Sequence, residues 1–154
     1  ASDVYKRQRD GDDLMAVSNR VYQGKVIVHK NELSWVEVEP LKKARMSHIA
    51  FKLKDNVYVA GGRTALMSGV KLTCCERFNL AQGKWLTCEH SLPFSLCGAS
   101  VVVSADETVA VITGGEAGSR ARDRVIIFTP EKGFELMAKR LSNITISEHA
   151  SILL

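Results

Sequence analysis

No hydrophobic run in the sequence approaches the roughly 20 apolar residues that a helical bilayer crossing requires, so no membrane-spanning helix and no membrane partner are expected. No two cysteines are spaced C-x-x-C: Cys74, Cys75, Cys88 and Cys97 stand outside that pattern, and His29, His48, His90 and His149 are scattered. Zinc sites depend on closely spaced ligand pairs, so no metal is expected and the thiols read as small buried hydrophobes. No Ser/His/Asp set, paired carboxylates or phosphate loop stands out, which argues against an enzyme and against a cofactor. A sustained 3.6-residue apolar period is also missing, and with it any expectation of a long helix. Charge is mild, with 21 Lys and Arg against 17 Asp and Glu, and 45% of the 154 residues are hydrophobic. Those values exclude a disordered or collagen-like chain and suit about one globular domain.

Residues 1–20 differ from the rest. They are charged, carry no apolar core that would make a secretory signal, and open with ASDVYKRQ, which resembles a translated sequencing-adapter remnant. This segment is expected to be disordered or artefactual.

From residue 21 onward the pattern is short and β-like. Val26–Val28, Val57–Val59, Val101–Val103, Val109–Ile112 and Val125–Phe128 are β-branched or aromatic runs. Turn-forming groups separate them at Lys54-Asp55-Asn56, Ala81-Gln82-Gly83, Ala105-Asp106-Glu107 and Pro130–Gly133. The expected fold class is all-β. The runs also repeat. Gly61-Gly62 and Gly114-Gly115 each follow a strand and lie 53 residues apart, Trp35 and Trp85 lie 50 apart, and Phe134 lies 49 beyond Trp85. Phe78 precedes Trp85 as Phe128 precedes Phe134. Several markers thus agree on a period near 50 residues.

On these residues the sequence resembles the Kelch-repeat β-propeller family. VYVAGG followed by CCERFNLAQGKW matches its motif, in which a strand ends in paired glycines and an aromatic and a tryptophan follow on the next two strands. VAVITGG followed by VIIFTPEKGF is similar but carries Phe134 in place of the tryptophan, and the first unit keeps only its second half, with His29 at the aromatic position and Trp35 in place. The resemblance implies a partial propeller of four-stranded antiparallel blades over 21–154. Residues 21–38 would be a half blade, 47–88 and 98–138 complete blades, and 149–154 the start of another. Closed propellers need 4–8 blades, so the chain is expected to be a fragment. Gly61, Gly62, Gly114, Gly115, Phe78, Trp85, Phe128 and Phe134 are then structural.

In that layout the loops 39–47, 63–71, 89–97, 116–124 and 139–148 share one face and hold ten Lys or Arg against five Asp or Glu, while the opposite loops balance. The resemblance implies that this face binds partner peptides. The candidates are Lys42, Lys43, Arg45, Arg63, Arg120, Arg122 and Arg124, whose arginine forks suit carboxylates, so an acidic protein segment is the expected partner. Nucleic acid is not expected, because no dense basic run is interleaved with aromatics. Many relatives are substrate-recognition arms of ubiquitin ligases, which implies a non-catalytic interaction module in the cytoplasm. Alternatives are an actin-binding Kelch scaffold and part of a secreted, galactose-oxidase-like copper enzyme, although Tyr5, Tyr22 and Tyr58 match no motif of the latter. Asn143-Ile144-Thr145 fits the N-glycosylation pattern, which matters only for a secreted protein.

If Ala81-Gln82 centres its hairpin, Phe78 faces Trp85 and Cys75 faces Cys88. Opposed Cβ atoms about 4.5–5.5 Å apart are slightly long for a relaxed disulfide at roughly 3.5–4.5 Å. Free buried thiols are therefore the preferred reading over a strained cross-strand disulfide.

Overall fold

The computed structural model describes residues 17–65, 69–116 and 123–138. Alternation of apolar and polar residues in short runs yields strands, and the turn groups fold those strands back on one another. β1 (Val21–Ile27) and β2 (Glu32–Val38) form a two-stranded sheet. β3 (Ile49–Leu53), β4 (Asn56–Ala60), β5 (Cys75–Asn79) and β6 (Lys84–Thr87) form a four-stranded antiparallel sheet in sequence order. β7 (Cys97–Val103), β8 (Ala110–Glu116), β9 (Val125–Thr129) and β10 (Gly133–Leu136) form a second one in the same order. The protein is all-β, and the described residues contain no α-helix, only a one-turn 3-10 helix at Val28–Lys30.

Turn chemistry sets the registers. The Asn79 side chain accepts hydrogen bonds from the Ala81 and Gln82 amides at 3.1 and 2.9 Å, and Gly83 takes a positive φ of 66°. This side-chain-stabilised turn is what Asn and Gly favour. It centres the hairpin on Ala81-Gln82 and places Phe78 opposite Trp85, as the sequence suggests. In the third sheet Phe128 faces Phe134 in the same way.

The first hairpin departs from expectation. Its turn is the 3-10 helix, Ile27 faces Glu32, and Trp35 therefore faces Gly24 rather than His29, which lies within the turn. Asn19 and Arg20, within the segment expected to be disordered or artefactual, are tied to the fold. Asn19 and Leu41 exchange backbone and side-chain hydrogen bonds at 2.8 and 2.9 Å, and Arg20 forks onto Glu37.

The sheets stack, and two cores lie between them. Val57, Val59, Phe78 and Trp85 of the middle sheet meet Val21, Val38 and Leu41 on one side. On its other side Ile49, Phe51, Leu53, Tyr58, Ala60 and Cys75 meet Ala110, Ile112, Ile126 and Phe128 of the third. Because β-strand side chains alternate between faces, Val57 and Tyr58 belong to opposite cores. The middle sheet is thus covered on both faces, which is why β4 is apolar almost throughout. Phe128 repeats the role of Phe78, since each lies on the face toward the preceding sheet, and Ile112 repeats that of Val59.

The glycine pairs allow backbones to converge at one end of the stack. Gly61 and Gly62 have φ of 68° and 87°, a region L side chains avoid. The Gly62 amide donates to the Leu96 carbonyl at 2.7 Å, and a Cβ on Gly62 would lie 2.7 Å from the Met46 carbonyl oxygen. Gly114 and Gly115 repeat these angles at 66° and 86°.

Candidate functional site

The end of the middle sheet that carries Gly61 and Gly62 also gathers Lys42, Lys43 and Arg63 among the candidate cations. Strand β2 leads into the segment 39–47, which runs back across the middle sheet. Its path is fixed by polar contacts: the Trp85 indole donates to the Glu39 carbonyl at 2.8 Å, and the Glu76 carboxylate accepts from the Lys42 amide at 2.7 Å and the Lys43 amide at 3.3 Å. Met46 then pairs with Arg63, and Arg63 with Lys71, as isolated β-bridges. Lys42, Lys43, Arg63 and Lys71 are thereby brought to one end of the middle sheet.

Arg45 does not join them. Its guanidinium is fully buried, ion-paired with the equally buried Glu76, and it donates to the Gly61 carbonyl at 2.9 Å and the Cys74 carbonyl at 3.1 Å. An arginine so enclosed fastens loops together and is not presented to a partner, which corrects the expectation for this residue. The reason is local. Three chain segments converge beside the glycine pair, their carbonyls need donors, and a planar five-donor fork satisfies several at once. Glu76 escapes a search for surface charges, yet alternation from Phe78 places it on the same inward face, and a carboxylate there needs a buried cation.

His48 sits beside this network. Burial first, and then the Arg45 charge, hold its imidazole down to about 4, with a hydrogen bond to the Arg45 backbone pulling the other way. It is neutral at physiological pH and works as a packing residue against Gly62.

The remaining cations differ in how they are engaged. Lys71 approaches Glu116 at 3.9 Å and Arg124 approaches Asp123 at the same distance. Lys42 and Lys43 are exposed and have no acidic partner among the described residues; the Lys42 ammonium touches only the Thr87 hydroxyl, at 3.3 Å. Arg63 is half-buried, and its Nε is enclosed without a hydrogen-bond partner among the described residues. Arg120, Arg122, the 149–154 segment and Asn143 lie outside the described residues.

The structural candidates all lie in the sheets or their junctions. Phe78 and Trp85 pack with ring centroids 5.1 Å apart, and Phe128 and Phe134 at 4.5 Å. Tyr58 stacks on Phe51 at 5.4 Å and meets Phe128 edge-on at 4.9 Å, and its burial raises the phenol above its usual range. Tyr22 lies under the Arg20 guanidinium at 5.4 Å. The four cysteines are free thiols. Among the described residues no group of three or more His, Cys, Asp or Glu is placed to hold a metal, and no helix is long and apolar enough to cross a membrane.

No protein-family model matches the chain, and no curated protein does. Among solved structures it is similar to one described as the structure of YjhT, with a TM-score of 0.68 and 14% sequence identity over 84% of this chain. The match spans 48% of that protein, so the chain accounts for about half of its length. At this identity the likeness concerns the fold, and what it supports is a stack of antiparallel sheets shared with part of a larger protein.

Proposed function

We propose that the chain is part of a Kelch-type β-propeller and serves as a non-catalytic protein-interaction module, binding an acidic segment of another protein at its basic end. The propeller reading is supported by the equivalence of the second and third sheets. Both run in sequence order, both place an aromatic cross-strand pair toward the preceding sheet, and both carry a glycine pair at positive φ 53 residues apart. The structural neighbour of about twice the length agrees with a piece of a larger closed array.

The observation that carries the binding reading is Arg63. It is half-buried at the end of the middle sheet to which Lys42 and Lys43 are also brought, and the ammonium groups of those lysines are exposed with no acidic partner among the described residues. Arginine and lysine side chains gathered in this way suit the carboxylates of an acidic segment. By sequence, Arg120, Arg122 and Arg124 belong to the same set of loop cations. Capture of a substrate for ubiquitin transfer and docking on a cytoskeletal protein are both roles that such a surface fits.

The test is fluorescence anisotropy with a labelled oligoglutamate peptide and its oligoglutamine counterpart at low salt. The acidic peptide should bind and the neutral one should not. Lys42→Glu, Lys43→Glu and Arg63→Glu combined should weaken binding at least about tenfold, with an unchanged melting temperature, and salt should weaken it further. Equal affinity of the charge-reversed protein would overturn the reading.

A further inference from the structure

Cys75 begins β5, and Cys88 lies one residue beyond the end of β6. Glu76 faces Thr87 in this hairpin, so Cys75 and Cys88 are the next opposed pair, and the Cys88 amide donates to the Cys75 carbonyl at 3.0 Å. Opposed residues in an antiparallel pair project to the same face. The two thiols accordingly project side by side from one face of the hairpin.

Their surroundings are unequal. Cys75 is buried in the core between the second and third sheets, whereas Cys88 is half-buried at its margin. The Cys75 S–H is directed at the Glu76 carbonyl at 3.8 Å, and the neighbouring Cys75 thiol is the largest influence holding the Cys88 thiol below its usual range; burial opposes it and the Arg77 charge adds to it. The Cys88 thiol, with burial, pushes the Cys75 thiol up. One cysteine is thus partly exposed and biased toward thiolate, and the other is a sheltered thiol beside it. Reactive cysteines occupy partly exposed, electropositive surroundings, and redox-sensing ones are often poised beside a resolving cysteine. Cys74 projects to the opposite face of β5, where its sulfur accepts from Arg45 at 3.4 Å. Cys97 lies in the other four-stranded sheet, with its S–H directed at the Glu116 carbonyl at 3.7 Å.

We propose that Cys75 and Cys88 form a reversible peroxide-oxidised dithiol site, with Cys88 as the attacking sulfur and Cys75 as the resolving one. The Cys88 thiolate attacks one oxygen of hydrogen peroxide. The O–O bond breaks, hydroxide leaves and takes up a proton to become water, and Cys88 becomes a sulfenic acid. The Cys75 thiol then gives up its proton and attacks the sulfenic sulfur. The S–O bond breaks, a second water leaves, and the S–S bond forms. Two thiols lose two electrons in total, and one peroxide becomes two waters. Disulfide closure draws the Cβ atoms together by about 1 Å from the usual cross-strand spacing, a shift eased by the position of Cys88 just outside the ladder. A small thiol such as dithiothreitol reverses the step.

The experiment treats the reduced full chain with hydrogen peroxide, blocks the remaining thiols under denaturing conditions and maps them by mass spectrometry. The expected product has lost two hydrogens, joins the peptide containing Cys75 to the one containing Cys88, and reverts with dithiothreitol. Because those peptides also hold Cys74 and Cys97, Cys74→Ser/Cys97→Ser must give the same cross-link. Cys88→Ser should slow peroxide consumption at least about tenfold. Cys75→Ala should leave Cys88 as a sulfenic acid that dimedone traps. A cross-link through Cys74 or Cys97, or similar oxidation of all four thiols, would overturn the proposal, and the wild-type map decides this even if a variant folds poorly.

Discussion

Trp35 and Trp85 stand 50 residues apart on the face their sheets turn toward the preceding part of the chain, yet Trp85 is 2% exposed and Trp35 is 42% exposed. Trp85 has Phe78 opposite it, the first sheet stacked over it, and its indole N–H satisfied by Glu39. Trp35 has Gly24 opposite it and lays its ring over that glycine, so that a Cβ on Gly24 would lie 2.8 Å from the ring. Val26 and Leu33 on the same face are also exposed. The same alternation thus makes a core in one sheet and an open apolar face in the other. The difference is whether a second sheet covers the face, since apolar burial stabilises only where water is removed.

The sharpest way to break this comparison is to truncate both tryptophans. Trp85→Ala should cost about 3–5 kcal/mol, as large-to-small core changes do, and Trp35→Ala within about 1 kcal/mol. Denaturant melts of the two variants decide it, and equal losses would mean that the first sheet is as covered as the second.

The ion pairs divide the same regions. Arg45–Glu76 is sealed in the middle sheet, whereas Arg20–Glu37 lies on the first with both partners about half exposed. Glu76→Gln leaves a buried cation short of its counter-charge and should cost about 3–5 kcal/mol, whereas Glu37→Gln, at the surface, should leave the melt nearly unchanged. The same melts, repeated in high salt, should show only the second pair responding to screening.

The glycines offer a third contrast. Gly62→Val drives a branched side chain against the Met46 carbonyl at positive φ and should cost about 3 kcal/mol. Gly83→Ala, in a turn with nothing within 4 Å of a new Cβ, should cost about 1 kcal/mol. A Gly62→Val protein melting like the Gly83→Ala one would contradict the close backbone approach.

The smallest effect concerns pH. His48 has its proton affinity depressed on folding, from 6.5 to about 4, so the unfolded chain binds a proton that the native protein excludes. That contribution is complete above pH 6.5 and is lost as pH falls toward 4, amounting to about 2 kcal/mol by pH 5. A His48→Asn protein should show a flatter stability profile between pH 7 and 5, and an unchanged slope would remove His48 as the cause.

Much of this was legible in the chain. Period-2 runs marked strands, Asn79 through Gly83 centred a hairpin and so paired Phe78 with Trp85, and the spacing of Gly61-Gly62 and Gly114-Gly115 marked two equivalent junctions. His29 was not legible. A 3-10 turn in place of a longer loop shifts the register, and a shift of pairing depends on backbone geometry that residue types do not specify. Arg45 was not legible either, because a cation in a loop looks the same in sequence whether it meets water or a buried carboxylate from 31 residues away.

By itself, then, the sequence determined what depends on near neighbours along the chain: the all-β class, the strand and turn order, and the repeat. Only the tertiary structure decided which apolar face became core and which arginine became internal. Those outcomes depend on what packs against each residue, and stacking of one sheet on the next is a long-range event.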